Sequence, residues 1–187
     1  MKVKITPKAI LIPTISLFLI CLVVTALLAL TNNVTADKIA ENEAQSKNES
    51  MKNVCPGAVD FDELIPDVMY QGKDESGASL GYAISTVSQG YGGQIKVMTG
   101  IKDGEIVGID VFYNDNETPG LGKNTSNESF TDQFKGLTTD SPINVSKDSS
   151  DGQTVDAVTS ATISSRAVAA AVNEAVTIYK ENVKEGE

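Results

Sequence analysis

The chain has 187 residues, 15 of them basic and 25 acidic, and it contains no histidine. That absence removes the commonest general base, the commonest zinc ligand and any Ser-His-Asp hydrolytic triad, so redox or group-transfer chemistry here requires a cofactor. Three of the basic residues precede the first apolar run and no acidic residue does, so the remainder is strongly acidic and repels nucleic acid and anionic lipid alike.

In chain order, residues 1–8 carry Lys2, Lys4 and Lys8 and are expected to lie in the cytoplasm. Residues 9–30, AILIPTISLFLICLVVTALLAL, contain no charge. A run of that length crosses a hydrocarbon core about 30 Å thick, and the flanking lysines orient it with the N-terminus inside and the rest outside. Pro13 falls in the first turn of the expected helix, where proline is tolerated. A signal peptide cleaved near Val34 and Ala36 is the alternative. The apolar run is longer than a usual signal core, which favours a retained anchor, and LFLIC lacks the small residue that a lipoprotein signal places before its cysteine. Cys21 lies inside the span and Cys55 outside it, so they cannot pair, and they form neither a disulfide framework nor a metal site.

Residues 31–53 are polar and read as a juxtamembrane helix or a flexible stalk. Residues 54–181 form the packed domain, with Pro56-Gly57 as an opening turn, and residues 182–187 are a solvated tail. Between Leu80 and Tyr113, three alternating runs separated by GYGG and by Asp103-Gly104 predict at least three antiparallel strands, the Asp-Gly pair marking a hairpin. A glycine-, asparagine- and threonine-rich loop covers residues 114–127. ESFTDQFKGL predicts a short helix with Phe130 and Phe134 on one face, ended by Gly136. Ile143–Val145 predicts a short strand. A last helix from about Ser165 to Glu181 carries Val168, Val172, Ala175, Val176 and Tyr179 at helical spacing, with Ser164 as its expected N-cap. The class is α+β, an antiparallel sheet with helices packed on it.

Two segments draw attention as sites. NETPGLG, residues 116–122, is either a simple type II turn at Pro119-Gly120 or a ligand loop, since Gly122 permits close backbone approach and Leu121 puts an apolar side chain at a polar tip. DAVTSATISS, residues 156–165, is either a hydroxyl-rich helix cap or a phosphate site, because free N–H groups and the dipole at a helix N-terminus hold anions. DSSDG and NDNE lack the alternating ligands and distal glutamate of a calcium loop, and no metal is expected.

Taken together, the N-terminal span, GYGGQIKVMTGIKDGEIVGIDV, ETPGLG and DAVTSATISSRAV, in that order, resemble the covalently flavinylated FMN-binding domain family, and within it the G subunits of Rnf-type complexes. The resemblance covers nearly the whole chain. It implies a membrane-anchored electron-carrier subunit, not a self-sufficient enzyme, in a complex that couples electron transfer between ferredoxin and NAD to Na⁺ or H⁺ movement. It implies FMN joined through its phosphate to Thr162 by a separate flavin transferase that uses FAD. Asp156, Thr159, Ser160, Ala161 and Thr162 then form the transferase recognition turn. Glu117, Thr118, Gly120, Leu121, Gly122, Ser160 and Ala161 surround the cofactor. Other membrane subunits, the transferase and the bilayer are the implied partners.

Two residues depart from the family pattern. Ser160 stands where glycine is usual, and Asp115 stands where histidine is common, which weakens any proton-relay role for that loop. The C subunit of sodium-pumping NADH–quinone reductase and a stand-alone extracytoplasmic flavoprotein are the related alternatives. A tethered binding module without flavin is the alternative of another class, and flavin fluorescence after denaturation separates it from the rest.

Overall fold

The structure is a computed structural model and describes residues 7–146 and 152–183. Lys2 and Lys4, most of the DSSDG turn and the end of the polar tail lie outside the described residues. The chain divides into two units, residues 1–44 and 45–187.

The described residues of the first unit lie within one helix. Helix α1 runs Pro7–Val54, starting earlier than expected. The earlier start places Pro13 in the second turn instead of the first. From Ile10 to Leu30 the apolar side chains are exposed all round the helix, as in Leu17 at 63% and Leu30 at 64%. Such a surface suits a hydrocarbon environment and no protein partner on one face. The polar stretch after it is helical, supported by the Lys38–Glu41 pair at 2.7 Å, one turn apart.

The second unit is built on a five-stranded antiparallel meander in the order β1-β2-β3-β4-β5. The strands are β1 (Asp60–Ile65), β2 (Met69–Lys73), β3 (Ser79–Gln89), β4 (Gln94–Lys102) and β5 (Glu105–Tyr113). The last three lie where the alternation places them. Asp103 and Gly104 both take positive φ, 51° and 79°, as a two-residue hairpin with the twist of its strands requires. Strands β1 and β2 go beyond the sequence reading, since DFDELI is an exposed edge with little alternation.

Short helix α2 (Glu128–Thr131) continues into a 3-10 turn, Asp132–Phe134. The Phe130 and Phe134 rings meet edge to face at 5.5 Å. Strands β6 (Ile143–Val145) and β7 (Gln153–Val155) form a separate parallel pair. Helix α3 (Thr162–Val183) closes the fold. Its buried stripe of Val168, Val172, Ala175, Val176 and Tyr179 packs on Ile84, Val97, Ile101 and Ile109 of the sheet. The Thr86 hydroxyl donates to the Ala171 carbonyl at 2.9 Å, locking helix to sheet within this core.

The opposite sheet face is covered by residues 45–54, the end of α1. Met51, Val54 and Cys55 pack on Tyr70, Ala83 and Met98. Lys47 pairs with Asp67 at 3.0 Å, and Ser50 and Asn53 both donate to one oxygen of Asp110. Burial pushes the Cys55 thiol up to about 11, so it remains a protonated, inert core residue at neutral pH.

Gly100 sits where the end of α1 crosses β4, and a Cβ there would lie 2.2 Å from the Val54 carbonyl oxygen. The obstacle is backbone and cannot swing away. Gly100→Ala is therefore expected to destabilise the domain by about 1–3 kcal/mol, the usual cost of overpacking. Urea unfolding followed by near-ultraviolet circular dichroism measures it, and an unchanged midpoint would contradict the packing described.

Candidate functional site

Three chain segments meet around one buried carboxyl group. The first is the β3–β4 connection, Gly90–Gly93, closed by a 2.8 Å bond from the Gly90 N–H to the Gly93 carbonyl. The second is the loop after β5. There the Leu121 N–H donates to the Thr118 carbonyl at 3.1 Å and Gly120 takes φ +77°, the type II turn that Pro119-Gly120 predicts. The third is the first turn of α3.

Glu117, only 2% exposed, joins them. Its Oε1 accepts from the Gly92 N–H at 3.0 Å and its Oε2 accepts from the Ser164 hydroxyl at 2.7 Å. Among the described residues no lysine or arginine pairs with it. Glycine is required on both sides of this group. A Cβ on Gly90 would stand 2.2 Å from Oε1, and one on Gly122 would stand 1.9 Å from Oε2. Gly122 thus makes room for the carboxyl group as well as bordering the cavity at Thr162.

The contact corrects the expected cap. Helix α3 starts at Thr162, not at Ser165. The Ser165 N–H reaches the Ala161 carbonyl at 2.9 Å, which makes Ala161 the cap residue and Thr162 the first helical residue. Ser164 sits inside the first turn and spends its hydroxyl on Glu117. The Ser165 hydroxyl caps none of the first-turn N–H groups; it accepts from the Val158 N–H and donates to the Ala161 carbonyl, both at 3.0 Å, tying the preceding turn to the start of the helix. The N–H groups of Thr162, Ile163 and Ser164 meet no backbone carbonyl among the described residues, as expected at a helix start. Ser160 takes φ +62°. A left-handed residue is easiest for glycine, which accounts for the glycine that the family resemblance puts at this position.

Thr162 is half-buried, and no group among the described residues bonds its hydroxyl. It opens into a cavity of about 590 Å³ lined by Tyr91, Glu117, Thr118, Leu121, Gly122 and residues 160–164. Of the expected cofactor residues, Gly120 alone is missing from this lining. It faces a second cleft, of about 730 Å³, with Asp156, Thr159, Asn124 and Gln133. Leu121 and Ser160 border both. Asp115 lies on the surface, paired with Lys123 at 3.2 Å, and lines neither. Tyr91 and Ile163 are lining residues that the sequence reading missed. The GYGG cluster was a signal for Tyr91, since an aromatic between glycines has no core to enter, and here it is 71% exposed.

The first cavity fits a flavin mononucleotide. Its volume lies in the ordinary range for ligand sites, about 300–1,000 Å³. Tyr91, Leu121 and Ile163, all exposed, offer apolar surface to a planar ring. No basic side chain lines it, so a phosphate would be met by the N-terminus of α3.

Residues 90–177 match the FMN-binding domain family and residues 1–54 match the RnfG N-terminal region. The chain is thus an α+β FMN-binding protein behind a long apolar helix. It is 31% identical over 164 residues to the G subunit of the proton-translocating ferredoxin:NAD(+) oxidoreductase complex of Clostridium ljungdahlii, covering 87% of this chain and 88% of that one. It is 35% identical over 202 residues to the G subunit of the Na(+)-translocating complex of Acetobacterium woodii, covering 96% of each. The chain belongs to this family of G subunits of ion-translocating oxidoreductase complexes. The C subunit of the Na(+)-translocating NADH-quinone reductase of Parabacteroides distasonis shares the fold, with a TM-score of 0.51 and 21% identity over 59% of each chain.

Glu117→Ala is expected to strand the Gly92 N–H and the Ser164 hydroxyl and leave a void, costing about 2–4 kcal/mol. Glu117→Gln keeps an acceptor for Gly92 and a polar partner for Ser164, and should cost less than half as much. Thermal unfolding of both variants tests this, and equal losses would refute the two-point contact.

Proposed function

We propose that this chain is the FMN-bearing electron carrier of an Rnf-type membrane complex, with FMN held by a phosphoester on Thr162. When bound, FMN supplies the electron-transfer chemistry and the chain supplies position and environment. The observation that carries the reading is the setting of Thr162. It is the first residue of α3, its hydroxyl is free, and it opens on a cavity walled by Tyr91, Leu121 and Ile163.

No histidine exists in the chain, and a threonine hydroxyl is a weak nucleophile without a base. Thr162 is therefore an acceptor for a separate flavin transferase. Thr162 Oγ1 bonds the phosphorus of the FMN half of FAD, the bond from that phosphorus to AMP breaks, and AMP and the hydroxyl proton leave. The phosphodiester keeps one negative charge beside the open N–H groups of Thr162, Ile163 and Ser164, where a helix dipole stabilises it. Asp156, Thr159, Ser160 and Ala161 form the turn that the transferase reads.

The apolar helix anchors the protein in the cytoplasmic membrane with its N-terminus inside and the FMN domain outside, as the lysines before the span favour. In that arrangement it binds neither ferredoxin nor NAD and passes electrons through partner membrane subunits. The relatives include a proton- and a Na(+)-translocating complex, and the proposal covers either ion.

Protein made with its transferase should yield a Thr162 peptide heavier by FMN less one water in mass spectrometry. Thr162→Ala should abolish in-gel flavin fluorescence while leaving the thermal midpoint within a few degrees. Flavin on Thr159, or a variant that stays fluorescent after denaturation, would sink the assignment. The orientation is checked separately by a reporter active only outside the cytoplasm, fused after Glu187. Silence of that fusion in expressing cells would reverse the topology.

A further inference from the structure

The acceptor turn is pinned at both ends while Asp156, Thr159 and Ser160 stay exposed. At its far end the Ser165 hydroxyl bridges Val158 and Ala161, and the Ala161 N–H donates to the Val158 carbonyl at 3.0 Å. At its near end stands Gln133, 23 residues away in sequence. Its Oε1 accepts from the Asp156 N–H at 2.7 Å and its Nε2 donates to the Asp156 carbonyl at 3.3 Å. The same Nε2 also lies 3.5 Å from the Ser129 carbonyl. The two bonds to Asp156 copy a strand pairing with one side chain. Gln133 is itself held firmly, because it precedes Phe134, which is fully buried and meets Phe130 edge to face.

Only the backbone of Asp156 is engaged. Its side chain is exposed, meets no partner among the described residues, and lines the second cleft with Gln133, Asn124 and Thr159. Thr162 lines the first cavity, across the ridge of Leu121 and Ser160. The carboxylate and the acceptor hydroxyl thus stand on two sides of one ridge. An enzyme that grips one and modifies the other needs their relative placement fixed before it binds.

We propose that Gln133 is a positioning residue for flavinylation: by clamping the Asp156 backbone it holds the acceptor turn in the conformation the transferase recognises. The proposal rests on Thr162 being the flavin acceptor. Gln133 acts through Asp156 and touches neither the flavin nor Thr162. Loss of the clamp lowers the fraction of protein in the competent conformation, and apparent affinity falls by that fraction. With two backbone hydrogen bonds lost, the expected fall is about tenfold.

The test uses the full chain, made without transferase and purified in detergent, then mixed with transferase and FAD. Initial rates of Thr162 modification are measured by mass spectrometry against protein concentration for the wild type, Gln133→Met and Gln133→Ala. Methionine keeps the length and packing of glutamine and removes both bonds. The expected result is a KM for the protein raised about tenfold in both variants, with kcat retained. Hydrogen–deuterium exchange should speed up at residues 156–161 and stay unchanged at residues 168–179.

Wild-type KM in Gln133→Met, despite faster exchange in the turn, would overturn the positioning role. Unchanged exchange in the turn would overturn the clamp itself. A wild-type protein modified elsewhere than Thr162 would instead remove the attachment reading, and the exchange data would still report on the clamp.

Discussion

The site depends on one buried carboxyl group. Glu117 accepts from the Gly92 N–H and the Ser164 hydroxyl and draws together three segments that lie far apart in the chain. A buried polar group is costly unless its bonds are made, so the arrangement tolerates little slack. Its oxygens occupy the space that side chains on Gly90 and Gly122 would need. Both glycines thus make room for the carboxyl group, and Gly122 borders the Thr162 cavity as well. With Glu117 in place, the start of α3 is set against the β3–β4 connection, and the cavity at Thr162 has its walls.

A second constraint is the use of amide side chains as substitute backbone. Gln133 clamps Asp156, Gln153 clamps both polar atoms of the Thr138 backbone at 2.7 Å, and Asn173 does the same for Ile143 at 2.9 and 2.8 Å. Each supplies hydrogen-bond partners to backbone in a loop or at a strand end, where an unpaired buried N–H or carbonyl would cost stability. Two of these clamps hold the small parallel pair and its approach. The third holds the acceptor turn, where chain geometry bears directly on modification.

Much of the framework was legible because it is local. The uncharged run of residues 9–30, the alternation of β3 to β5, the Asp103-Gly104 hairpin and the apolar stripe of α3 each follow from a period or a dipeptide. Strand β1 was not legible, since an exposed edge needs no alternating pattern. The parallel pairing of β6 with β7 was also out of reach, because three-residue strands carry no periodic signal. Ser164 misled as a cap, because a hydroxyl just before the expected helix looks like one until it is seen to sit inside the first turn and bond Glu117.

For the site, the sequence by itself determined the chemistry available: no histidine, a hydroxyl-rich turn before a helix, a proline-glycine turn with a leucine at its tip, and an apolar anchor. These are facts of composition and short spacing, and the resemblance to flavin-bearing proteins rests on them. Only the tertiary structure decided what each residue does. It turned Glu117 inward as a latch, sent Gly120 to a second cleft, brought Tyr91 and Ile163 to the cavity, and tied Gln133 to Asp156. The reason is physical. Period and propensity act over a few residues, whereas a hydrogen bond between residues 117 and 164, or 133 and 156, exists only once the intervening chain has packed.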